Sequence, residues 1–122
     1  MRARLILLAH GSRRAAWGAP LEALTARLAQ RIGADAVTLA YLDLSVPSLL
    51  DAARAAAADG VTRLRVMPLF LSGGGHVAHD VPPQIEAVRA ALPNLDVVLL
   101  PPLGEHPLVL EALCAVALGE AD

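Results

Sequence analysis

The stretch Leu5-Ile6-Leu7-Leu8-Ala9-His10-Gly11-Ser12 decides the interpretation of the fold. Its first five residues form a continuous apolar run, which ends at polar residues and a glycine. A short run of this kind indicates a strand buried on both faces, as in a parallel sheet covered by helices. Because His10 follows the run directly, it is placed at the carboxyl end of the predicted strand.

The same alternation continues along the chain. Three further apolar runs predict strands at 36–42, 64–71 and 97–100. Helical spacing of apolar residues predicts four helices, which are opened by Pro20, Pro47 and Pro107 or capped by Asp80. The apolar face of the first helix consists of Leu21, Leu24, Leu28 and Ile32. The order βαβαβαβα predicts an α/β fold in one domain, with a four-stranded parallel sheet flanked by helices and flavodoxin-like layering.

Composition narrows the class of protein. The chain has 122 residues, a net charge of −2 and 56% hydrophobic residues, which excludes a disordered chain and makes nucleic acid an unexpected partner. The single cysteine, Cys114, excludes an internal disulfide and a cysteine-rich metal motif. No apolar run approaches the ~18–20 residues of a membrane span. These features predict a cytoplasmic protein.

Three polar residues follow three of the predicted strands: His10, Asp43 and, within a glycine-rich loop, His76. Ligands of such folds bind beyond the carboxyl ends of the strands, so these residues are expected at one edge. Imidazole and carboxylate groups suit divalent cobalt, iron or nickel. Taken singly, His10 is better explained as a strand terminator and Asp43 as a turn residue, and for His76 a solvated side chain is the alternative. Together they predict a metal site.

Other residues near these positions have two interpretations each. The glycines of the loop Ser72-Gly73-Gly74-Gly75 allow close approach to a ligand, or form a flexible turn. Arg13 and Arg14 are suited to pair with the carboxylates of an acidic ligand, or are solvated. Trp17 is expected either to stack on a planar ligand or to pack the loop.

The two remaining histidines are not expected to bind metal. His79 lies three residues after His76 and is predicted to be solvent-exposed. His106 precedes Pro107 and is predicted to cap the last helix.

The combination of these motifs resembles the small CbiX-type sirohydrochlorin chelatases over essentially the whole chain. The matching segments, in order, are Ala9–Arg13, Ala40–Asp43 with Pro47, Pro68–Leu71, Gly74–Val77, Asp80–Pro82, and Pro102–Gly104 with His106 and Pro107. The resemblance implies a single CbiX-type domain over 1–122 with a class II chelatase fold. It implies a lyase that inserts a divalent metal into sirohydrochlorin without ATP, in cobalamin or siroheme biosynthesis.

The resemblance also implies roles for individual residues. His10 and His76 are the implied metal-binding pair, and Asp43, where the family usually has Glu, is a further candidate ligand or catalytic group. Ser12, Arg13, Gly74 and Gly75 are implied substrate contacts. The metal, with Co²⁺ favoured and Fe²⁺ or Ni²⁺ as alternatives, is a substrate, and no tightly bound cofactor is expected.

Two rival functions share this fold. A non-catalytic metal or tetrapyrrole carrier would bind without forming a metallated product. A flavodoxin-like flavin binder is disfavoured because no phosphate-binding fingerprint is present and aromatic residues make up only 2% of the chain.

The ligand implied by the resemblance also suggests an oligomeric state. A broad planar ligand needs a cleft with two walls, and the family's larger members resemble two such domains in one chain. A short chain is therefore expected to form a two-fold homodimer. The mean hydropathy of +0.54 agrees, because some apolar helix surface is then covered by a partner.

Overall fold

The computed structural model describes residues 2–72 and 76–120, and describes residues 76 and 77 by their backbone. Four strands alternate with four α-helices: β1 (Ala3–Ala9), α1 (Ala19–Ile32), β2 (Val37–Tyr41), α2 (Leu49–Ala58), β3 (Arg63–Pro68), α3 (His76–Ala91), β4 (Asp96–Leu99) and α4 (Pro107–Ala117). Short 3-10 turns occupy Ala15–Gly18, Ala34–Ala36 and Leu103–Glu105. The predicted α/β order is confirmed.

The strands form one four-stranded sheet in the order β2-β1-β3-β4, and every pairing is parallel. The hydrophobic strand β1 is central, and Ile6, Leu7 and Leu8 are fully buried, as expected of a strand covered on both faces. Parallel pairing brings the carboxyl ends of all four strands to one edge. The polar residues that follow β1 and β2 therefore meet at that edge.

One face of the sheet, called here the covered face, packs against α2 and α3. Strand residues Ile6, Leu8, Leu64 and Val66 belong to the core cluster with residues of both helices. On α2 these are mostly alanines, whose small side chains let the helix lie close to the sheet; on α3 they are Val81, Ile85 and Val88, the apolar positions predicted from helical spacing. Each buried Leu, Ile or Val contributes about 1.5–3 kcal/mol relative to exposure.

The opposite face, called here the open face, is less completely covered. Helix α1 packs beside β2, where Val37 and Tyr41 are buried. However, no residue of α1 is itself buried, and Leu24 and Ile32 on its predicted apolar face are exposed. The predicted helix is confirmed, but its apolar face is covered only in part.

Two helix starts differ from the sequence predictions. Pro47 does not open the second helix, because its carbonyl accepts a hydrogen bond from the Tyr41 N–H at 2.9 Å and holds it beside the sheet. Ser48 is the N-cap instead, and its Oγ accepts a hydrogen bond from the Asp51 N–H at 3.1 Å. Asp80 does not cap the third helix, because α3 has already begun at His76. That helix continues through Pro82 and Pro83, and burial of Val81 and Ile85 offsets the hydrogen bonds lost at the prolines.

The start of the last helix agrees with the prediction. Pro107 is its first residue, and the His106 Nδ1 accepts a hydrogen bond from the Leu108 N–H at 3.1 Å, so His106 is a helix cap. Across residues 2–72 and 76–120, none of the helices is both long enough and apolar enough to cross a membrane.

Candidate functional site

The site lies at the carboxyl ends of β1 and β2, where His10 and Asp43 come together. Ala9 is paired with Tyr41 in the sheet, and the Leu42 N–H donates to the Ala9 carbonyl at 2.8 Å. The chain then places the His10 Nδ1 3.6 Å from the Asp43 Oδ2. Both side chains are partly exposed, so the pair faces the space beyond the strand ends. The separation is too long for a hydrogen bond, so the imidazole and the carboxylate are neighbours without a direct bond between them.

The loops that carry this pair are fastened to each other. The Gly11 N–H donates to the Asp43 Oδ1 at 2.9 Å, and the Ser12 N–H donates to the Ser45 Oγ at 3.0 Å. The Ser45 hydroxyl in turn lies 3.2 Å from the Ser12 carbonyl, to which it donates. These contacts fix the Asp43 carboxylate relative to His10. They also give Ser12 a structural role in addition to its predicted role as a substrate contact.

Gly11 is required by the close approach of the two loops. A Cβ at this position would overlap the Asp43 carbonyl oxygen and would lie 2.6 Å from the Ser45 Oγ. No side chain fits there without separating the loops. The glycine of the first motif therefore has a physical explanation that does not depend on a ligand.

Two aromatic residues hold His10 in place. The Phe70 ring, after β3, lies against the imidazole with a centroid distance of 4.8 Å and an interplanar angle of 58°. The Trp17 Nε1 donates to the His10 carbonyl at 2.9 Å. The indole N–H is thus used within the loop, while Trp17 itself stays half-exposed.

Apolar surface surrounds the pair. Phe70 also lines a cavity of about 150 Å³ between the ends of β3, β4 and α3, together with Pro68, Val81, Pro82 and Pro102. The rim of the site exposes further apolar residues, namely Leu44, Val46 and Leu71. The surroundings of His10 thus offer apolar contacts beside a polar pair.

Leu44 has an unusual backbone. Its φ is 59°, in the left-handed region that a leucine seldom adopts, and it stands between Asp43 and Ser45. Such conformations cost on the order of 1–3 kcal/mol and persist where neighbouring contacts impose them. Here the contacts of Asp43 with Gly11 and of Ser45 with Ser12 do so.

The remaining predicted site residues are only partly described. Gly74, Gly75 and the side chain of His76 lie outside the described residues, although the backbone of His76 begins α3. Arg13 is exposed on the loop after β1 and forms no ion pair with the described residues, and His79 is exposed as predicted. Among the side chains that the structure describes, no three His, Cys, Asp or Glu cluster closely enough to hold a metal.

Sequence reasoning missed Ser45 and gave Phe70 no role at the site. Ser45 follows Asp43 by two positions, just as Ser12 follows His10, and that matched spacing was a usable signal. The contact of Phe70 with His10 could not be inferred from spacing, because β1 and β3 are remote in sequence and their pairing had to be known first.

A tyrosine lies behind the site. Tyr41 is buried under the loop at Gly18, and a Cβ on that glycine would lie 3.1 Å from the phenol oxygen. Burial raises the pKa of the Tyr41 phenol above its ordinary value of 10.0, and the Glu22 carboxylate raises it further. Tyr41 is therefore a neutral support for the site at physiological pH.

Comparison with known proteins agrees with this geometry. A family model described as CbiX matches residues 4–118. The crystal structure of a CbiX protein from Marinobacter aquaeolei VT8 superimposes with a TM-score of 0.86 and 34% identity, covering 98% of this chain and 95% of that one.

Two curated relatives are chelatases. The chloroplastic sirohydrochlorin ferrochelatase of Arabidopsis thaliana is 29% identical over 109 residues, which is 89% of this chain and 48% of the relative. The sirohydrochlorin cobaltochelatase of Sulfurisphaera tokodaii is 28% identical over 79 residues, which is 65% of this chain and 62% of the relative. The chain spans about half the length of the curated relatives it matches. With a match over residues 4–118 and the same four-stranded parallel sheet, the chain belongs to the CbiX family.

Proposed function

We propose that the chain catalyses the insertion of a divalent metal ion into sirohydrochlorin, with Co²⁺ favoured and Fe²⁺ or Ni²⁺ as alternatives. The observation that carries the proposal is the CbiX match over residues 4–118. The curated relatives that share this region are sirohydrochlorin ferrochelatases and cobaltochelatases. The structure adds a histidine and a carboxylate at the strand ends, next to apolar surface.

His10 is the group best placed to meet the metal. A neutral imidazole binds cobalt, iron and nickel. The Phe70 ring lies against the imidazole, and the Trp17 Nε1 holds the backbone carbonyl of His10. His76 is proposed as the second ligand because it matches the family motif Gly74-Gly75-His76-Val77. Both ligands must release the ion, since the metal is consumed by the reaction.

Asp43 is proposed to orient His10. Its Oδ1 accepts the Gly11 N–H at 2.9 Å, and its Oδ2 lies 3.6 Å from the His10 Nδ1. The two groups are not hydrogen-bonded at this distance. If the carboxylate moved to hydrogen-bond distance of Nδ1 on metal binding, it would favour the tautomer that presents Nε2 to the metal. These contacts support an orienting role more than direct ligation, although the carboxylate also adds negative charge near the ion.

The reaction requires proton acceptors. Insertion of a divalent ion into the macrocycle displaces two pyrrolic protons, so the products are the metallated ring and two protons. His10 and Asp43, which lie side by side at the strand ends, are the candidate general bases. Arg13, exposed on the same loop, is proposed to pair with a peripheral carboxylate of the substrate, with Ser12, Gly74 and Gly75 as further contacts.

The decisive experiment is anaerobic incubation with sirohydrochlorin and, separately, Co²⁺, Fe²⁺ and Ni²⁺, following the absorption of the pigment. Metallated product supports the enzyme, and the three rates rank the metals. Binding without product would favour the carrier alternative. His10→Ala is expected to reduce the rate by at least about 100-fold, the usual contribution of a positioned acid–base group. His79→Ala is the matched control and should retain the wild-type rate.

Asp43 has its own test. Asp43→Asn keeps an oxygen for the Gly11 N–H and removes the charge beside the imidazole. An orienting carboxylate predicts a slower rate and a changed Co²⁺ absorption spectrum, with both restored in Asp43→Glu. An unchanged rate and spectrum in Asp43→Asn would mean that the residue only forms the turn.

We also propose a two-fold homodimer that works in the cytoplasm without a tightly bound cofactor, membrane or nucleic-acid partner. The dimer is supported by the site, which is open on the side beyond the strand ends, where a broad ligand requires a second wall.

A further inference from the structure

Gln84 interrupts the buried face of α3. Helical spacing places Val81, Ile85 and Val88 on that face, and all three are buried in the core cluster. Gln84 comes three positions after Val81 and four before Val88, so it projects from the same face, and it is itself partly buried. A polar group turned toward a core costs stability unless it forms a hydrogen bond. The partner of Gln84 therefore indicates why a polar side chain stands there.

That partner is the backbone of the loop after β2. The Gln84 Nε2 donates to the Leu42 carbonyl at 3.0 Å, across 42 positions of sequence. The Leu42 N–H donates in turn to the Ala9 carbonyl at 2.8 Å. Leu42 is thus held on both sides, by the end of β1 through its N–H and by α3 through its carbonyl. Because a carbonyl only accepts hydrogen bonds, the contact with α3 requires a donor at position 84.

Leu42 immediately precedes the candidate site. The next residue is Asp43, whose Oδ1 accepts the Gly11 N–H at 2.9 Å and whose Oδ2 lies 3.6 Å from the His10 Nδ1. One residue later, Leu44 has a φ of 59°, which a leucine seldom adopts unless neighbouring contacts impose it. The loop therefore depends on its contacts for its conformation, and the place of the Asp43 carboxylate depends on where the Leu42 peptide is held.

The helix that carries Gln84 begins at the second predicted metal ligand. Its first residue is His76, about two helical turns before Gln84. Apolar contacts such as those of Val81 and Ile85 press the helix onto the sheet, but they are non-directional. A hydrogen bond has a preferred distance and angle, so it also fixes where the helix lies relative to its partner. The Gln84 contact therefore relates the start of α3 to the loop that carries Asp43.

We infer that Gln84 is a positioning residue of the site, which holds the Asp43 loop in a fixed place relative to the start of α3. The inference rests on the chelatase function proposed above and adds a residue to it. Gln84 acts through the Leu42 carbonyl and not on the reacting atoms. Loss of its donor is expected to loosen the Asp43 carboxylate beside His10 while the sheet and the helices remain folded.

Arg89 provides a matched control on the same helix. Its Nη2 donates to the Val97 carbonyl at 2.9 Å, so it also joins α3 to the backbone of another element. That element is β4, at the opposite edge of the sheet from β2. Gln84→Met and Arg89→Met each remove a donor and keep an unbranched side chain. Each is expected to lower the melting temperature by about 3–6 °C, so stability alone does not separate them.

The first test is hydrogen exchange of the Gly11 amide, followed by NMR on the whole chain without metal or tetrapyrrole. Gly11 donates to Asp43, so its exchange reports whether the carboxylate stays in place. Gln84→Met should exchange about fivefold faster at Gly11 than Arg89→Met, the equivalent of one lost hydrogen bond. Gln84→Lys restores a donor and should return exchange toward the wild-type rate. Equal exchange in the two methionine variants, or no recovery in Gln84→Lys, would overturn the inference.

The second test is the rate of Co²⁺ insertion into sirohydrochlorin. Gln84→Met should lower kcat by roughly tenfold or more, because displacement of a positioned group by about 1 Å costs up to about 100-fold. Its KM should change little, and Arg89→Met should keep both constants. A wild-type kcat in Gln84→Met would contradict a positioning role. If the wild-type protein inserts no metal, the chelatase proposal fails, and exchange at Gly11 alone decides whether Gln84 holds the Asp43 loop.

Discussion

The two faces of the sheet differ in how far this chain covers them by itself. On the covered face, Ile6, Leu8, Leu64 and Val66 are fully buried under α2 and α3. On the open face, Met67 is only partly buried and Arg65 is exposed, while the neighbouring α4 exposes nearly all of its apolar residues. The covered face therefore accounts for the stability of the single chain. The open face carries both apolar and charged residues, and this chain covers it only in part.

The largest expected effect comes from the covered face. Ile85→Ala removes a buried side chain between α3 and the sheet and is expected to lower the free energy of unfolding by about 2–5 kcal/mol. Urea denaturation of dilute protein measures this. Leu110→Ala on α4 is the matched control, and its cost should stay within about 0.5 kcal/mol because the side chain is exposed in the single chain. If Ile85→Ala and Leu110→Ala lowered the free energy of unfolding equally, the two faces would not differ in their contribution to stability.

A smaller effect is expected at the strand ends, where the loops of β1 and β2 meet. Gly11→Ala places a methyl group against the Asp43 carbonyl and should lower the free energy of unfolding by about 1–3 kcal/mol, with loss of metal insertion. Ser45→Ala, which removes only the hydroxyl that bonds Ser12, should cost about 0.5–1.5 kcal/mol. Thermal unfolding and the insertion assay together check both. If Gly11→Ala is as stable and active as the wild type, the close approach of the loops is not needed for the site.

The smallest effect concerns Tyr41, which lies on the open face but is buried beside α1. Its pKa is raised in the folded chain, so the folded state keeps the phenol proton to higher pH than the unfolded state does. Its contribution to the free energy of unfolding is thus complete below pH about 10 and is lost as the pH rises further. The wild type should therefore lose stability more steeply above that pH than Tyr41→Phe. Parallel curves for the two proteins would show that Tyr41 is not shielded by α1.

The order of elements was predictable because it depends on local pattern. The run Leu5–Ala9 and its counterparts identify the four strands, and Pro107 with His106 marks the start of α4. The prediction that Asp80 caps the third helix was wrong because α3 begins earlier and continues through two prolines. Burial of Val81 and Ile85 stabilises the helix there, and that burial depends on the whole fold.

The site was predictable only where the strand order alone determines it. His10 and Asp43 follow neighbouring parallel strands and therefore meet. The contacts of Phe70, Trp17 and Ser45 depend on how loops lie across those strands, which periodicity does not report. The apolar residues of a helix also do not indicate whether another element covers that helix. The exposure of α4 is therefore known only from the structure.

The central place of β1 has a consequence for the order of events during synthesis. On one side β1 pairs with β2, which is close in sequence: the hydrogen-bonded residues Gly11 and Asp43 are 32 positions apart. On the other side β1 pairs with β3, which is synthesised later: the hydrogen-bonded residues Arg2 and Thr62 are 60 positions apart. Doubling a closing loop costs only about 0.6 kcal/mol, so the delay is set by translation more than by chain entropy. The part of the chain that ends at Asp43 thus already contains both members of the His10–Asp43 pair, before His76 is added.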